Sequence, residues 1–213
     1  MNRVVILDVD GTLVDTNYQH ALAWYRAFRD NELVLPIWRI HRHIGMGGDQ
    51  LVADLTDEGV EARIGEQIRK SETHHYAAMM GEVEAFDGAR ELLHQLHDNG
   101  YKFILASSAK PEEIEYYIDL LDARAIADGW TSAGDVESTK PAPDLVKSAL
   151  ARAGARADEA TMVGDSPWDA RSAGQAGVET IAVMTGGFSE QELRDAGAVD
   201  VYESVRGLNQ ALG

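Results

Sequence analysis

The sequence predicts an α/β fold: a parallel sheet with helices packed on both faces, interrupted near its start by an inserted all-α segment. Three observations carry this. In the second half of the chain, short apolar β-branched stretches alternate with amphipathic ones, the pattern of strand–helix–strand units. A lone stretch of the first kind, "VVIL", lies at Val4–Leu7, and no convincing strand follows between Asp15 and about Glu82. The polar residues that end the apolar runs collect at their carboxyl ends, where open parallel sheets bind their ligands.

In order, Val4–Leu7 reads as a buried strand. Ala21, Trp24, Tyr25 and Phe28 recur at three- and four-residue spacing and make one apolar helix face, with Thr16 or Asn17 as the cap. Pro36 opens a short helix and "GMGGD" is a glycine-rich loop. Leu51, Val52 and Leu55 begin another helix, and Val60, Ile64 and Ile68 a longer one. Trp24 and Trp38 are expected in the core of this block. From Phe86 onward, Asp87 is expected to cap a helix carrying Leu92, Leu93 and Leu96, which "DNG" ends with Gly100 in the left-handed position. "KFILAS" is a strand, Pro111 opens a helix, and a weak strand is expected near Ala125–Ala127. A helix from Pro143 to Ala153, the strand "ATMVGD", the helix "PWDARSAGQAG", the strand "ETIAVM", a helix at Glu190–Ala196, the edge strand "AVDVY" and a helix at Val205–Leu212 complete the chain. The simplest organisation is an α/β core from 1–14 and 84–213 with a helical cap at 15–83.

The chain has 213 residues, 45% of them hydrophobic, enough for a substantial core. It contains no cysteine, which rules out disulfides, thiolate catalysis and cysteine-bound zinc. The apolar run at the N-terminus breaks at Asp8, too soon for a signal peptide or a membrane span, so a soluble cytoplasmic protein is expected. A net charge of −17 argues against nucleic acid and anionic membranes as partners. It leaves room for a small anionic substrate, because a site can be locally positive on an acidic protein.

"VVIL" delivers the chain to Asp8 and Asp10, "FILA" to Ser107 and Ser108, and "TMVG" to Asp165, with Asp169 four residues on. Lys140 precedes Pro141, which favours an extended backbone and so a loop position. Cleaving a phosphate ester needs an oxygen nucleophile, a proton for the leaving alcohol and positive charge on the phosphoryl oxygens. Asp8 suits the first role, since a carboxylate is ionised at neutral pH and forms an acyl phosphate. Asp10, two residues on, lies on the same side of an extended chain and suits acid/base work. That role needs a raised pKa, and neighbouring carboxylates act in this direction. The clustered acids call for a cation. Hard Mg²⁺ prefers oxygen ligands, which Asp8, Asp165 and, directly or through water, Asp169 offer. Lys140 and the hydroxyl of Ser107 would bind the phosphoryl oxygens, with Ser108 beside them.

In that order, "DVDGT", "ASS", "KPAPD" and "GDSPWD" resemble the motifs of the haloacid dehalogenase-like hydrolases, across nearly the whole chain. The resemblance implies a Rossmann-like core and Mg²⁺. It implies Asp8 as nucleophile and Asp10 as acid/base, with its backbone carbonyl a further metal ligand. It matches Ser107 and Lys140 to phosphate binding and Asp165 and Asp169 to the metal. The helical insertion is similar to the C1 cap of phosphoglycolate phosphatases and β-phosphoglucomutases. Dehalogenases lack the second aspartate, since a halide leaves without a proton, so Asp10 argues against that activity. Phosphonatases use a cap lysine; Lys70, the only lysine of the block, lies in the charged run "RKSE", which reads as a solvated face.

The implied function is a Mg²⁺-dependent phosphatase of a small phosphorylated metabolite, a phosphoglycolate- or sugar-phosphate-like monoester, working through an aspartyl-phosphate. A β-phosphoglucomutase-type phosphomutase is the alternative, and a non-catalytic phospho-ligand binding protein a third reading. "DTNYQHALAW" is similar to the start of the mutase cap, with Thr16 and His20 as counterparts, but "GMGGDQL" lacks the arginine that such mutases carry there. Candidate substrate contacts in the cap are Thr16, His20, Arg42 and Gly47, the last two in "RIHRHIGMGG".

Overall fold

A computed structural model of the chain describes residues 3–212. The central element is β1 (Val4–Leu7), every residue of which is buried. There follow α1 (Asn17–Asp30), α2 (Ile37–His41), α3 (Gly48–Leu55), α4 (Glu58–Ala77) and α5 (Ala89–Asp98). Strand and helix then alternate through β2 (Lys102–Ala106), α6 (Pro111–Leu120), β3 (Gly129–Thr131), α7 (Asp144–Ala153), β4 (Ala160–Gly164) and α8 (Pro167–Gln175). The chain closes with β5 (Glu179–Val183), α9 (Glu190–Ala196), β6 (Ala198–Tyr202) and α10 (Val205–Leu212).

The six strands form one parallel sheet in the order β3-β2-β1-β4-β5-β6. This is the Rossmann-like order, with its reversal between β1 and β4, where the crevice for a ligand opens. Ile6 sits between Ile104 and Met162 of its neighbours. The period of two splits the strand between two cores. Val5 and Leu7 pack with Phe103, Leu105 and helices α5, α6 and α10. Val4 and Ile6 pack with Ile104, Met162 and helices α7 and α8. Cover on both faces is why "VVIL" reads as an unbroken apolar run instead of an alternating one.

Helices α1 to α4 lie between β1 and α5 in sequence and have a core of their own, built on Trp24, Phe28, Ile40, Leu51, Leu55 and Ile68. No strand occurs in this block, as expected. No helix of the described residues is long and apolar enough to cross a membrane.

Three local expectations are corrected and one is refined. The third strand lies at Gly129–Thr131, not 125–127, where the chain turns back on Ala123 through the amides of Ile126 and Ala127. Trp130 and Thr131 have the strand propensity that the alanine-rich run lacks. Asp87 does not cap α5; Gly88 stands at that position with φ of 86°, and the Asp87 carboxylate pairs with Arg206 of α10. Thr16 stands at the N-cap of α1 as expected, but its side chain makes no cap bond, because its hydroxyl donates to Asp10. Trp38 is 67% exposed, since α2 has only five residues and buries only Ile40.

Phe103 is fully buried at the centre of the larger core. Phe103→Ala should therefore cost about 3–5 kcal/mol of unfolding free energy. Urea denaturation checks this as a lowered midpoint at an unchanged slope.

Candidate active site

The site is built where the chain leaves β1. Asp8 is 1% exposed, its backbone amide still bonded to the Val163 carbonyl at 2.9 Å. Val9 turns inward to the core, so Asp10 returns to the side of Asp8. Gly11 then takes φ of 75° to turn the chain back, and a Cβ here would stand 2.4 Å from the Asp165 carboxylate and from Asn17. Only glycine fits that combination of handedness and crowding. The Thr12 hydroxyl donates to Asp165 Oδ1 at 3.0 Å and lies 3.3 Å from Asp8 Oδ2, and Asn17 Nδ2 donates to Asp165 Oδ2 at 2.9 Å.

Lys140 lies in the loop between β3 and α7, before a cis Lys140–Pro141 peptide bond, and is 2% exposed. Its Nζ bonds Asp8 Oδ1 and lies 2.7 Å from Asp169 Oδ1. Asp169 can hold the lysine because its other oxygen is occupied: Oδ2 accepts from the Ser166 amide at 3.1 Å and hydroxyl at 2.6 Å, closing the capping box of α8. An ordinary helix start thus fixes the direction of a site carboxylate.

One oxygen each from buried Asp8, Asp165 and Asp169 lie within 4.8 Å of one another. Three carboxylates face one ammonium, and the charge is visibly out of balance. Burial, then the charge of Asp169, pushes Asp165 up to about 7 against the pull of Asn17, Lys140 and Thr12. Burial likewise raises Asp8, with Lys140 pulling the other way. Burial alone would lower Lys140, but Asp169 and Asp8 hold it above its usual value, so it stays charged. An all-oxygen cluster short of positive charge fits a hard divalent cation.

Asp10 stands apart from this cluster. Its Oδ1 accepts from the Thr16 hydroxyl at 3.0 Å and lies 3.4 Å from His20 Nε2; its Oδ2 accepts from the Ser107 hydroxyl at 2.8 Å. The expected raised pKa is not found. Burial acts upward, but His20, Ser107 and Thr16 outweigh it and bring Asp10 below the usual carboxylate range. Burial would depress His20, but hydrogen bonds and charge from Asp10 and Glu72 raise it from 6.5 to about 10. Asp10 and His20 are therefore an ion pair that carries one proton between them.

A cleft of about 290 Å³ opens over Asp8, Asp10 and Lys140. Ser108, Ala109 and Lys110 line it from the β2–α6 loop, and Trp24, Ile44, Met46 and Arg69 from the helical insertion. Ser108 Oγ is buried there without a hydrogen-bond partner. Ser107 is oriented away from solvent, accepting from the Ala109 amide at 2.9 Å while it donates to Asp10.

Of the residues singled out in the insertion, Thr16 and His20 meet on Asp10. Gly47 lies at the seam: its amide donates to the Lys140 carbonyl at 3.2 Å, and a Cβ would collide with Thr139 Oγ1. Asp49 accepts from the Thr139 amide at 3.2 Å and from its hydroxyl. Arg42 does not line the cleft; it pairs with Glu192 and covers the Phe188 ring at 4.2 Å. Lys70 pairs with Glu66 on the surface, as a solvated face requires. Reading the sequence missed Thr12 and Asn17 as partners of Asp165, and Glu72 as the second partner of His20. For Glu72 a signal existed, since Ile68, Glu72 and Tyr76 recur at spacing four and all three are buried.

The crowded carboxylates set the pH dependence of the metal-free protein. An unfolded aspartate titrates near 3.8 and folded Asp165 near 7, so between these values the folded state holds the extra proton and stability falls as pH rises. Asp165→Asn removes that loss. In EDTA the variant should melt above the wild type at pH 8, with the gap closing towards pH 4. Added divalent cation should raise the wild-type Tm more at pH 8 than at pH 5. A variant that melts below the wild type at pH 8 in EDTA contradicts the charge crowding.

The chain matches the model of the haloacid dehalogenase-like hydrolases over residues 5–183. It is 29% identical to phosphoglycolate phosphatase of Rhodospirillum rubrum, over all of this chain and 92% of that one. It is 29% identical to the pyrophosphatase PpaX of Bacillus cereus, over 85% of this chain and 82% of that one. Among solved structures, a hydrolase from Pseudomonas syringae superposes with a TM-score of 0.93 at 31% identity, covering 98% of this chain and 97% of that one. With the family's model matched from β1 through β5, the chain belongs to the haloacid dehalogenase-like hydrolases.

Proposed function

We propose that the protein is a Mg²⁺-dependent phosphatase that hydrolyses a small phosphate monoester, phosphoglycolate- or sugar-phosphate-like, by way of a phosphoryl group carried on Asp8. The observation that carries the reading is the pairing of a buried, lysine-held carboxylate with a second carboxylate two residues on that lies 3.4 Å from His20 Nε2. The relatives named as phosphatases support it. Residues 15–83 would act as a cap over the core at 1–14 and 84–213, shielding the reacting groups from bulk water.

Mg²⁺ held by Asp8, Asp165, Asp169 and the Asp10 main-chain carbonyl would supply the positive charge that lets an anionic phosphate approach a carboxylate. Lys140 adds a fixed ammonium beside Asp8, and Ser108, whose hydroxyl lacks a partner, offers a donor to a phosphoryl oxygen. As Asp8 attacks phosphorus and the ester bond breaks, Asp10 passes a proton to the leaving oxygen. The pair can supply it: a departing alkoxide is about as basic as hydroxide, far more so than His20 with its value of about 10. Asp10 then takes a proton from the water that hydrolyses the acyl phosphate.

A phosphomutase of the β-phosphoglucomutase type is the second reading, favoured by the convergence of Thr16 and His20 on Asp10. Residues 45–51 bring no arginine to the cleft, and the guanidinium that lines it, Arg69, is bonded to Glu61. Release of inorganic phosphate as the product from hexose 1-phosphate, with no isomer formed when a bisphosphate is added, decides for the phosphatase.

Hydrolysis of p-nitrophenyl phosphate should require Mg²⁺, stop in EDTA and fall by about 10³-fold or more in Asp8→Asn. Undiminished turnover in that variant overturns the mechanism. Asp10→Asn should lower kcat/KM for an alkyl phosphate by about 10²–10⁴-fold and spare the aryl ester, whose leaving group departs without a proton.

A further inference from the structure

Glu72 is a buried carboxylate, 4% exposed, on a long helix that is polar over most of its surface. It lies in the run "RKSE", where the neighbouring Lys70 is 76% exposed. Burying a carboxylate is costly unless it is paired, and Glu72 has two cationic partners. His20 Nδ1 of α1 lies 3.2 Å from its Oε1, and Lys110 Nζ, at the start of α6, lies 3.5 Å from its Oε2. Tyr76, one turn on along α4, stacks its ring on His20 with centroids 3.8 Å apart and planes 7° from parallel. The Tyr76 hydroxyl meets that of buried Tyr117 in α6. The imidazole is thus gripped on its edge by Glu72 and on its face by Tyr76, and its remaining nitrogen, Nε2, is delivered to Asp10 at 3.4 Å.

We propose that Glu72 is a positioning residue for proton delivery: by binding His20 Nδ1 it fixes the Nε2 edge of the ring on Asp10, so that helix α4 of the insertion completes the acid/base group of the core. Glu72 borders the cleft but is not one of the clustered acids Asp8, Asp165 and Asp169. It acts through His20, as the orienting carboxylate of a carboxylate–histidine pair does. The step balances with one proton: it passes from His20 through Asp10 to the leaving oxygen, and the proton that Asp10 later takes from the attacking water replaces it. The inference rests on the acid/base role of Asp10 given above.

A group that serves the leaving oxygen matters only when that oxygen needs a proton. The test compares kcat/KM for p-nitrophenyl phosphate and ethyl phosphate in the wild type, Glu72→Gln and Asp10→Asn, with Mg²⁺ present. Asp10→Asn should lose mainly ethyl phosphate turnover. Glu72→Gln should show the same bias at smaller amplitude, about tenfold on ethyl phosphate and less than about threefold on the aryl ester. Should Glu72→Gln fail to fold by circular dichroism, Glu72→Asp, which keeps the charge but draws it back, is read instead and should show the bias in weaker form. Equal losses on both esters, or none, beside a biased Asp10→Asn overturn the proposal for Glu72 alone. An unbiased Asp10→Asn overturns the acid/base reading, and the proposal with it.

Discussion

One ammonium between two buried carboxylates organises this molecule. Lys140 reaches from its loop to Asp8 at the end of β1 and to Asp169 in the first turn of α8, and all three side chains are almost wholly buried. Such a group is costly to bury and costlier to break, because removing one partner leaves an uncompensated charge in low dielectric. The ion pairs therefore tie the lysine loop, the central strand and the eighth helix to one another at the sheet's switch point. The cluster is also left short of positive charge, since Asp165 joins it without a cation of its own. The burial and crowding that raise the pKa of Asp165 also suit the cluster to the divalent ion proposed for it.

The second half of the chemistry has a different construction. Asp10 belongs to the core, but the residue that pairs with it comes from α1, and the groups that hold that residue come from α4. Besides the contacts of Thr16 and His20 with Asp10 and of Tyr76 with Tyr117, the insertion meets the core at further points. Asp49 and Gly47 engage Thr139 and Lys140, Lys110 reaches Glu72 and Thr73, and Arg42 pairs with Glu192. The proposed nucleophile and cation site are thus internal to the sheet, while the proposed proton-transfer pair is shared across the seam between insertion and core. Specificity and proton delivery can then both depend on how the insertion sits.

The elements that were legible in the sequence are those set by periodicity and local punctuation. The apolar run of β1, the alternation after residue 84 and the proline-led starts of α6 and α8 gave the sheet and its ligand-binding edge. Asp8, Lys140, Asp165 and Asp169 were legible because strand ends and a proline-marked loop place them. What was not legible depends on distant partners. Asp87 looks like a helix cap until Arg206 of α10 claims it. Asp10 looks like an acid raised by its neighbours until His20 supplies the opposite charge. Glu72 reads as one charge in a solvated run unless its spacing of four from Ile68 and Tyr76 is noticed, which places it on the face that α4 buries. Arg42 reads as a substrate contact in a basic loop, but Glu192 and Phe188 hold it on the far side of the seam.

The central claim is that Asp8 attacks phosphorus instead of merely neutralising Lys140 and a metal. The stereochemistry of hydrolysis tests this most directly, using a phosphorothioate monoester made chiral at phosphorus with two oxygen isotopes and hydrolysed in water of the third, so that the thiophosphate product is itself chiral. Two in-line displacements, first by Asp8 and then by water, predict retention of configuration. Inversion would mean a single displacement by water and would contradict the account.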